Sequence, residues 1–594
     1  MHSPEGSRVI VIGGGVAGMS AAQELAERGF KVEVFERQQE YVGGKARSVN
    51  VPGTNTQSPD KFLPGEHGFR FFPGFYKHVT DTMKRIPFYQ ADGSKNPDGC
   101  YGNLTSTERI MVARYGKPAI LAVASFPRSL RDLELIVRDM HGRLDVGLSD
   151  DEEKFFAARM WQLMTSCKQR RDSDYERLSW WDYLDAERYS DAYRSLLVAG
   201  LTRTLVAAQA RSASTKTGGN ILLQLIYTMM SPAKNTDQVL DGPTNDRWLI
   251  PWSEYLKKLG VVYHHGARVT KISMEGSRIS NIHVTGEGGS GSVVDGDYFV
   301  LATPVERATE LISPEMVDVD ATLGSLRPLA KSVSWMNGMQ FYLNEDPGIT
   351  KGHIVFSDSE WALTGISQHQ FWSDYDLADR FNGKVKGILS VDISDWLHTE
   401  YEGKLADDCS ATEVKDKVWA QLKKSLNVDG KILLHDGMIE HWYLDRDIQW
   451  NPSERHDQDY EPLLVNTVNS WALRPEAVTR VPNLFLASDY VRTNTDLATM
   501  EGANEAARRA VNGILAASGS SAPPCRVWRL EEPLFFAPFK WMDKRRFDAG
   551  QTWSGDLPRW MELLLIPWGL VFTGLAVVEA ALSTFGDRRR RTET

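Results

Sequence analysis

The segment that most constrains the fold is residues 8–36, RVIVIGGGVAGMSAAQELAERGFKVEVFE. A β-branched apolar run meets glycines, a helical pattern follows, and VEVFE supplies a second apolar run, so the order reads strand, glycine turn, helix, strand. Gly13, Gly15 and Gly18 stand at GxGxxG spacing. The first glycine permits the tight turn, the second lets a pyrophosphate approach the backbone, and the third lets the helix pack closely on the strand. Phosphate oxygens then meet amides at the helix N-terminus, where the dipole is positive. Glu36 ends the second strand 18 residues after Gly18, where its carboxylate can accept from a ribose hydroxyl. The unit predicts a dinucleotide site rather than a bare glycine turn.

At 594 residues the chain has room for about three to four domains. A net charge of -10 gives no reason to expect nucleic acid as a partner. Cys100, Cys167, Cys409 and Cys525 lie far apart without CxxC or His-spaced pairing, which points to neither a disulfide framework nor a zinc site and fits a reducing, cytoplasmic compartment. MHSPEGSRVIVIGGG lacks the charged start and long apolar run of a secretion signal.

Strand and helix patterns divide the chain into discontinuous parts. Residues 1–77, 241–310 and 476–520 read as three pieces of one dinucleotide-binding domain, with strands in ARVTKISMEGSRISNIHVTG, DYFVLATP and NLFLASDY. Residues 78–240 read as a mainly helical substrate or cap region, and 311–475 alternate with period 2, which predicts an antiparallel-sheet substrate domain. The last part, 521–594, interleaves aromatics with Lys540, Lys544, Arg545 and Arg546. It then runs through sixteen uncharged residues from Leu563 to Val578 and reaches Arg588–Arg591. That length falls just short of a spanning helix, both flanks are basic, and Pro567 interrupts the run. The expectation is a peripheral or monotopic segment at a membrane surface.

FAD rather than NAD is indicated downstream. Gly43-Gly44 permits a second backbone approach to the pyrophosphate, and Lys45 and Arg47 can neutralise it. Much later Asp489 ends a strand, and Met500, Glu501 and Gly502 open a helix whose N-terminal amides can stabilise a reduced, anionic flavin. IGGGVAG, GGKARSV, GEHGFRFFPGFY at 65–76 and LFLASDY…ATMEGA together resemble the flavin amine oxidase superfamily, and most closely its carotenoid branch of phytoene and zeta-carotene desaturases and hydroxysqualene dehydroxylases. The resemblance covers the whole FAD domain and is architectural elsewhere. It implies an α/β and α+β protein with a Rossmann-like FAD domain, a mixed helical and antiparallel-sheet substrate domain, and FAD as cofactor. It also implies FAD contacts from Val16, Ala17, Arg37, Glu66, His67, Gly68, Phe69, Val269, Thr499 and Ala503. Two departures stand out: Ser488 replaces the usual glycine before Asp489, and the loop from Asp489 to Met500 is one residue longer.

Within GEHGFRFFPGFY, His67 and Arg70 are the candidate catalytic residues, each balanced against a structural role: a hydrogen-bonding turn histidine, and an arginine paired with a carboxylate such as Glu66. Phe69 to Tyr76 are expected to begin the apolar wall of the substrate cavity. Trp180, Trp181, Trp335, Phe341, Trp361 and Trp471 read as core rather than tunnel lining. The resemblance implies an FAD-dependent oxidoreductase that removes hydride from a hydrophobic carotenoid, isoprenoid or lipid, with oxygen or a quinone reoxidising the flavin. An amine or amino-acid oxidase and a flavin-binding scaffold without turnover are the alternatives.

Overall fold

The apolar run Arg8–Ile12 becomes β1, four of whose five residues are buried. In the computed structural model, which describes residues 6–55, 61–68, 70–123, 147–200, 209–229, 237–449 and 458–556, it lies at the centre of a five-stranded sheet. The other strands are β2 (Lys31–Phe35), β3 (Val262–His264), β4 (Tyr298–Leu301) and β5 (Leu484–Leu486), in the order β3-β2-β1-β4-β5. Every pairing is parallel. Central parallel strands are covered on both faces, which is why β1 and β4 are continuous apolar runs without alternation. Helix α1 (Val16–Ala26) packs against α2 (Met500–Ser518), so the first and last pieces of this body are held together across the sequence. The strands Arg268–Glu275, Arg278–Thr285 and Gly291–Asp295 form a separate antiparallel meander.

A seven-stranded sheet makes the second body. Its order is Lys117–Val123, Arg109–Arg114, Ile354–Phe356, Leu363–Ser367, Gly387–Ile393, Asn337–Leu343 and Ile439–Leu444. All its pairs are antiparallel except that between Arg109–Arg114 and Ile354–Phe356. Helix Ala411–Leu426, capped by a reciprocal Ser410–Glu413 box, covers one face and places Trp419 4.9 Å from the ring of Phe341.

Two of these strands come from the stretch expected to be helical. RIMVAR and KPAILAV form a hairpin through Gly116 at φ +59°, and this short period-2 signal is easily lost beside the longer helical spacing that follows. The same stretch does contribute the helices Asp150–Thr165 and Thr215–Met229. At the other end, Ala537–Asp548 is a helix. The apolar run Leu563–Val578 and the arginines after it lie outside the described residues, as does Phe69. Among the described residues no helix is long and apolar enough to cross a membrane.

Candidate functional site

At the C-terminal end of β1 the chain turns at Gly13, whose φ is +103° and where a Cβ would lie 3.0 Å from the carbonyl oxygen of Ala302, next to β4. Gly18, one turn into α1, would bring a Cβ to 1.9 Å from the oxygen of Gly13. The close approach of turn, helix and neighbouring strand is therefore possible only with these glycines. Gly15 and Gly44 face each other across the same end, bridged in parallel as Gly15–Gly43. Gly43 and Gly44 both have positive φ.

From this glycine cradle a continuous cavity of about 550 Å³ extends into the protein. It is lined by Gly13, Gly15, Val16, Ala17, Glu36 and Arg37, by Gly43, Gly44 and Lys45, and by Val269 and Asp489. Thr499, Met500 and Ala503 of the α2 N-terminus join them, with the Thr499 hydroxyl capping the helix by accepting from the Gly502 amide at 3.1 Å. The cavity wall also carries apolar residues, Ile221, Leu222 and Leu225 of helix Thr215–Met229 and Leu463, Leu464 and Val465, with the polar Ser214, Thr217 and Asn466 among them. His67, Gly68, Arg70, Phe71 and Tyr76 lie on its wall.

Glu36 is buried, and its two oxygens accept from the amides of Gly14 at 2.7 Å and Gln38 at 2.8 Å. Burial raises its pKa despite those donors. Each oxygen retains a lone pair for a ribose hydroxyl. Thus the residues present fit a dinucleotide: a glycine cradle for phosphates, a carboxylate at the end of β2, and a helix N-terminus across the cavity.

Three of the expected cofactor residues do not reach the cavity. Gly18 lies beneath the turn. Glu66 is buried behind the wall, accepting from the amide and hydroxyl of Thr244 at 3.2 Å, and burial pushes its carboxyl up to about 7. Arg47 does not line the cavity: it donates to the carbonyl of Gly44 at 2.8 Å and pairs with Asp447 at 2.5 Å and Glu461 at 2.8 Å, both about 400 residues downstream. These acids are invisible as partners in a sequence, so a cation after a glycine doublet reads as phosphate-neutralising. Lys45 does line the cavity, where its ammonium donates to the carbonyl of Pro462.

The two catalytic candidates separate. Arg70 donates to the backbone carbonyls of Lys45 at 2.9 Å and Ala46 at 3.2 Å, so it braces the Gly43-Gly44 turn. His67 instead belongs to an ionic cluster. Its Nδ1 lies 2.5 Å from the buried carboxylate of Asp445, which also accepts from Asn337 at 3.0 Å, and 3.9 Å from Asp447. Burial opposes the charged imidazole, but Asp445, with Glu461 and Asp447 behind it, outweighs that penalty and raises the His67 pKa. The same pairing holds Asp445 low against the opposing effect of burial.

Of the aromatics after His67, Phe71 and Tyr76 reach the cavity, while Phe72 packs on Trp248 at 5.8 Å and Phe75 is buried against Tyr76. Trp180, Phe341 and Trp361 are buried and none of them lines the cavity. Asp392 was not anticipated. It lies on the sheet strand Gly387–Ile393 and reaches the wall because a Cβ at Gly68 would sit 3.0 Å from its Oδ1. Glu501 also plays an unforeseen part: it accepts from the amides of Lys77, His78 and Val79 at 2.8–2.9 Å, tying the helix His78–Arg85 to α2.

A parallel nucleotide-binding sheet assembled from distant segments, joined to an antiparallel sheet with one cavity between them, defines a two-body flavoprotein of the oxidoreductase class. The chain belongs to the flavin-containing amine oxidoreductase family, whose profile it matches over residues 16–515. Among its relatives is a zeta-carotene-forming phytoene desaturase of Myxococcus xanthus, 24% identical over 368 residues, which are 60% of this chain and 64% of that protein. A 4,4'-diapolycopene oxygenase of Methylomonas sp. is 38% identical over 85 residues, 14% of this chain and 17% of the relative. The chain thus aligns with less than two thirds of the length of these relatives. In fold it is similar to a putrescine oxidase, with a TM-score of 0.55 and 14% identity over 86% of this chain and 99% of the other.

Proposed function

We propose that this protein removes hydride from a C–H bond of an uncharged, apolar substrate, an isoprenoid or comparable long lipid. The observation that carries this reading is that one cavity is lined both by the glycine cradle and by Ile221, Leu222, Leu225 and Leu463–Val465. Bound FAD supplies the hydride acceptor. The chain's own part is orientation and exclusion of water: the leucine wall desolvates a hydrocarbon, and Phe71 and Tyr76 bound it. The relatives acting on phytoene and diapolycopene are consistent with this substrate class. Oxygen or a quinone would take the electrons onward, and a membrane surface would deliver the lipid.

An amine substrate is the second reading, because the carboxylate of Asp392 also reaches the wall. One experiment separates the two. Purified, FAD-loaded protein is mixed without oxygen with a polyisoprenoid in detergent or with a panel of amines, and the flavin absorbance is followed. Bleaching by the isoprenoid and none by amines is the expected result. The converse assigns the amine reading, and no bleaching by either class sinks both and leaves the flavin-binding scaffold.

A further inference from the structure

Resting on the lipid-substrate reading above, we propose that the outward face of the helix Ala537–Asp548 and the turn before it docks the folded protein onto an anionic lipid surface. Leu534, Trp541 and Arg545 recur at helical spacing along this element, so they share one side of it. Leu534 is 64% and Trp541 49% exposed, although both are large apolar residues. The Arg545 guanidinium lies over the Trp541 ring at 5.0 Å and has no carboxylate within ion-pair distance among the described residues. Lys544, also exposed, stands beside them.

The opposite side of the same element is occupied. Phe536 and Phe539 are buried, with Trp161 at 5.8 and 5.2 Å and Tyr227 5.9 Å from Phe536. The acid Asp543 points inward to Arg170 at 3.0 Å, and Glu532 pairs with Lys540 and Arg171. Inward-directed acids leave the outer face with an excess of cations, on a chain whose net charge is -10. Asp548, paired with Lys544 at 2.7 Å, offsets part of it.

A ring and a leucine at headgroup depth with cations beside them match the chemistry of an anionic bilayer surface. The sequence beyond this helix continues with sixteen uncharged residues, Leu563–Val578, in keeping with a lipid surface rather than an acidic protein partner. Position links the face to the site. Tyr227, which packs under Phe536, is on helix Thr215–Met229, and Ile221, Leu222 and Leu225 of that helix line the cavity. Gln224 of the same helix donates to the carbonyl of Glu531 at 2.9 Å, clamping the docking element to it. A bilayer on this face would therefore lie one helix away from the cavity.

The test uses the full chain loaded with FAD, floated with vesicles of phosphatidylcholine alone or mixed with phosphatidylglycerol. The same is done with a Trp541→Ser, Lys544→Glu, Arg545→Glu variant, whose positions are remote from the cavity wall. Wild-type protein should float with the anionic vesicles and much less with neutral ones, and raised salt should weaken that binding. The variant should bind at least about tenfold more weakly, since each basic residue near such a surface contributes about 1 kcal/mol. Anaerobic bleaching by detergent-dispersed isoprenoid should be unchanged in the variant, which separates this inference from the substrate reading. Binding of the variant equal to wild type, equal binding to neutral vesicles, or no wild-type binding overturns the docking face. So does a wild-type dimer that the variant breaks, which would assign the face to a second copy of the chain.

Discussion

Two parts of the cavity wall are specified by different physics. Around Gly13, Gly18 and Gly43-Gly44 the site is backbone: side chains are missing so that turn, helix and strand can approach, and the donors are amides. On the wall at His67 the site is ionic, joining residues that stand far apart in the chain. His67 reaches Asp445, and Arg47 reaches Asp447 and Glu461, in a cluster shielded from water. The segment GEHG connects the two, because the amide of Gly338 on the sheet strand Asn337–Leu343 donates to the carbonyl of His67 and Glu66 donates its own amide to Gln340 at 3.0 Å. A backbone site tolerates change in its surroundings but not an added methyl. An ionic site depends on every partner being present.

The largest effect should come from Arg47→Ala, which leaves Asp447 buried without its cation and Glu461 with Arg37 alone. Removing one partner of a buried pair costs about 3–5 kcal/mol. Urea unfolding should show that loss, and adding Asp447→Asn and Glu461→Gln should recover part of it. A loss no larger than that of an exposed ion pair would make the cluster incidental. Next comes Gly18→Ala, where a methyl 1.9 Å from the Gly13 oxygen must displace the turn. Overpacking of this kind costs about 1–3 kcal/mol, and the readout is flavin retained after gel filtration, which should fall sharply. Undiminished flavin content would contradict the close-approach argument.

A smaller, pH-dependent effect separates the regions further. His67 has a raised pKa in the folded protein, so its pairing with Asp445 contributes fully below the ordinary histidine value and is lost as pH rises through the raised one. Stability should therefore decline above neutrality in the wild type by about 1–3 kcal/mol, the range of a hydrogen bond to a charged group. Asp445→Asn should be less stable at pH 6 and show a flatter profile on the alkaline side. Denaturation midpoints across pH 6–9 that run parallel for the two proteins would remove the charged pair from the account.

This difference also explains what could be read in the sequence. GxGxxG, Glu36, Gly43-Gly44 and the helix opened by Met500 were legible because local backbone geometry dictates residue type there, and all but the buried Gly18 line the cavity. The period-2 runs after residue 328 announced the antiparallel sheet for the same local reason. Arg47 and Glu66 do not line the cavity, and their partners Asp447, Glu461 and Thr244 are fixed only by the tertiary fold; Arg70 does line it, with backbone carbonyls as its partners. Asp445 and Asp392 carried no local signal at all. Nor did Ile221, Leu222 and Leu225, whose spacing marks a buried helix face without saying that a cavity lies beside it.

The central claim is that one cavity holds FAD against its glycine cradle and an apolar substrate against its leucine wall. Leu225→Glu tests it most directly, by placing a carboxylate on the apolar wall while leaving the nucleotide residues untouched. FAD content should remain as in the wild type, and anaerobic bleaching by a polyisoprenoid should fall by at least about tenfold, the cost of setting a charge against a hydrocarbon. Retained bleaching at the wild-type rate with FAD still bound would contradict the account.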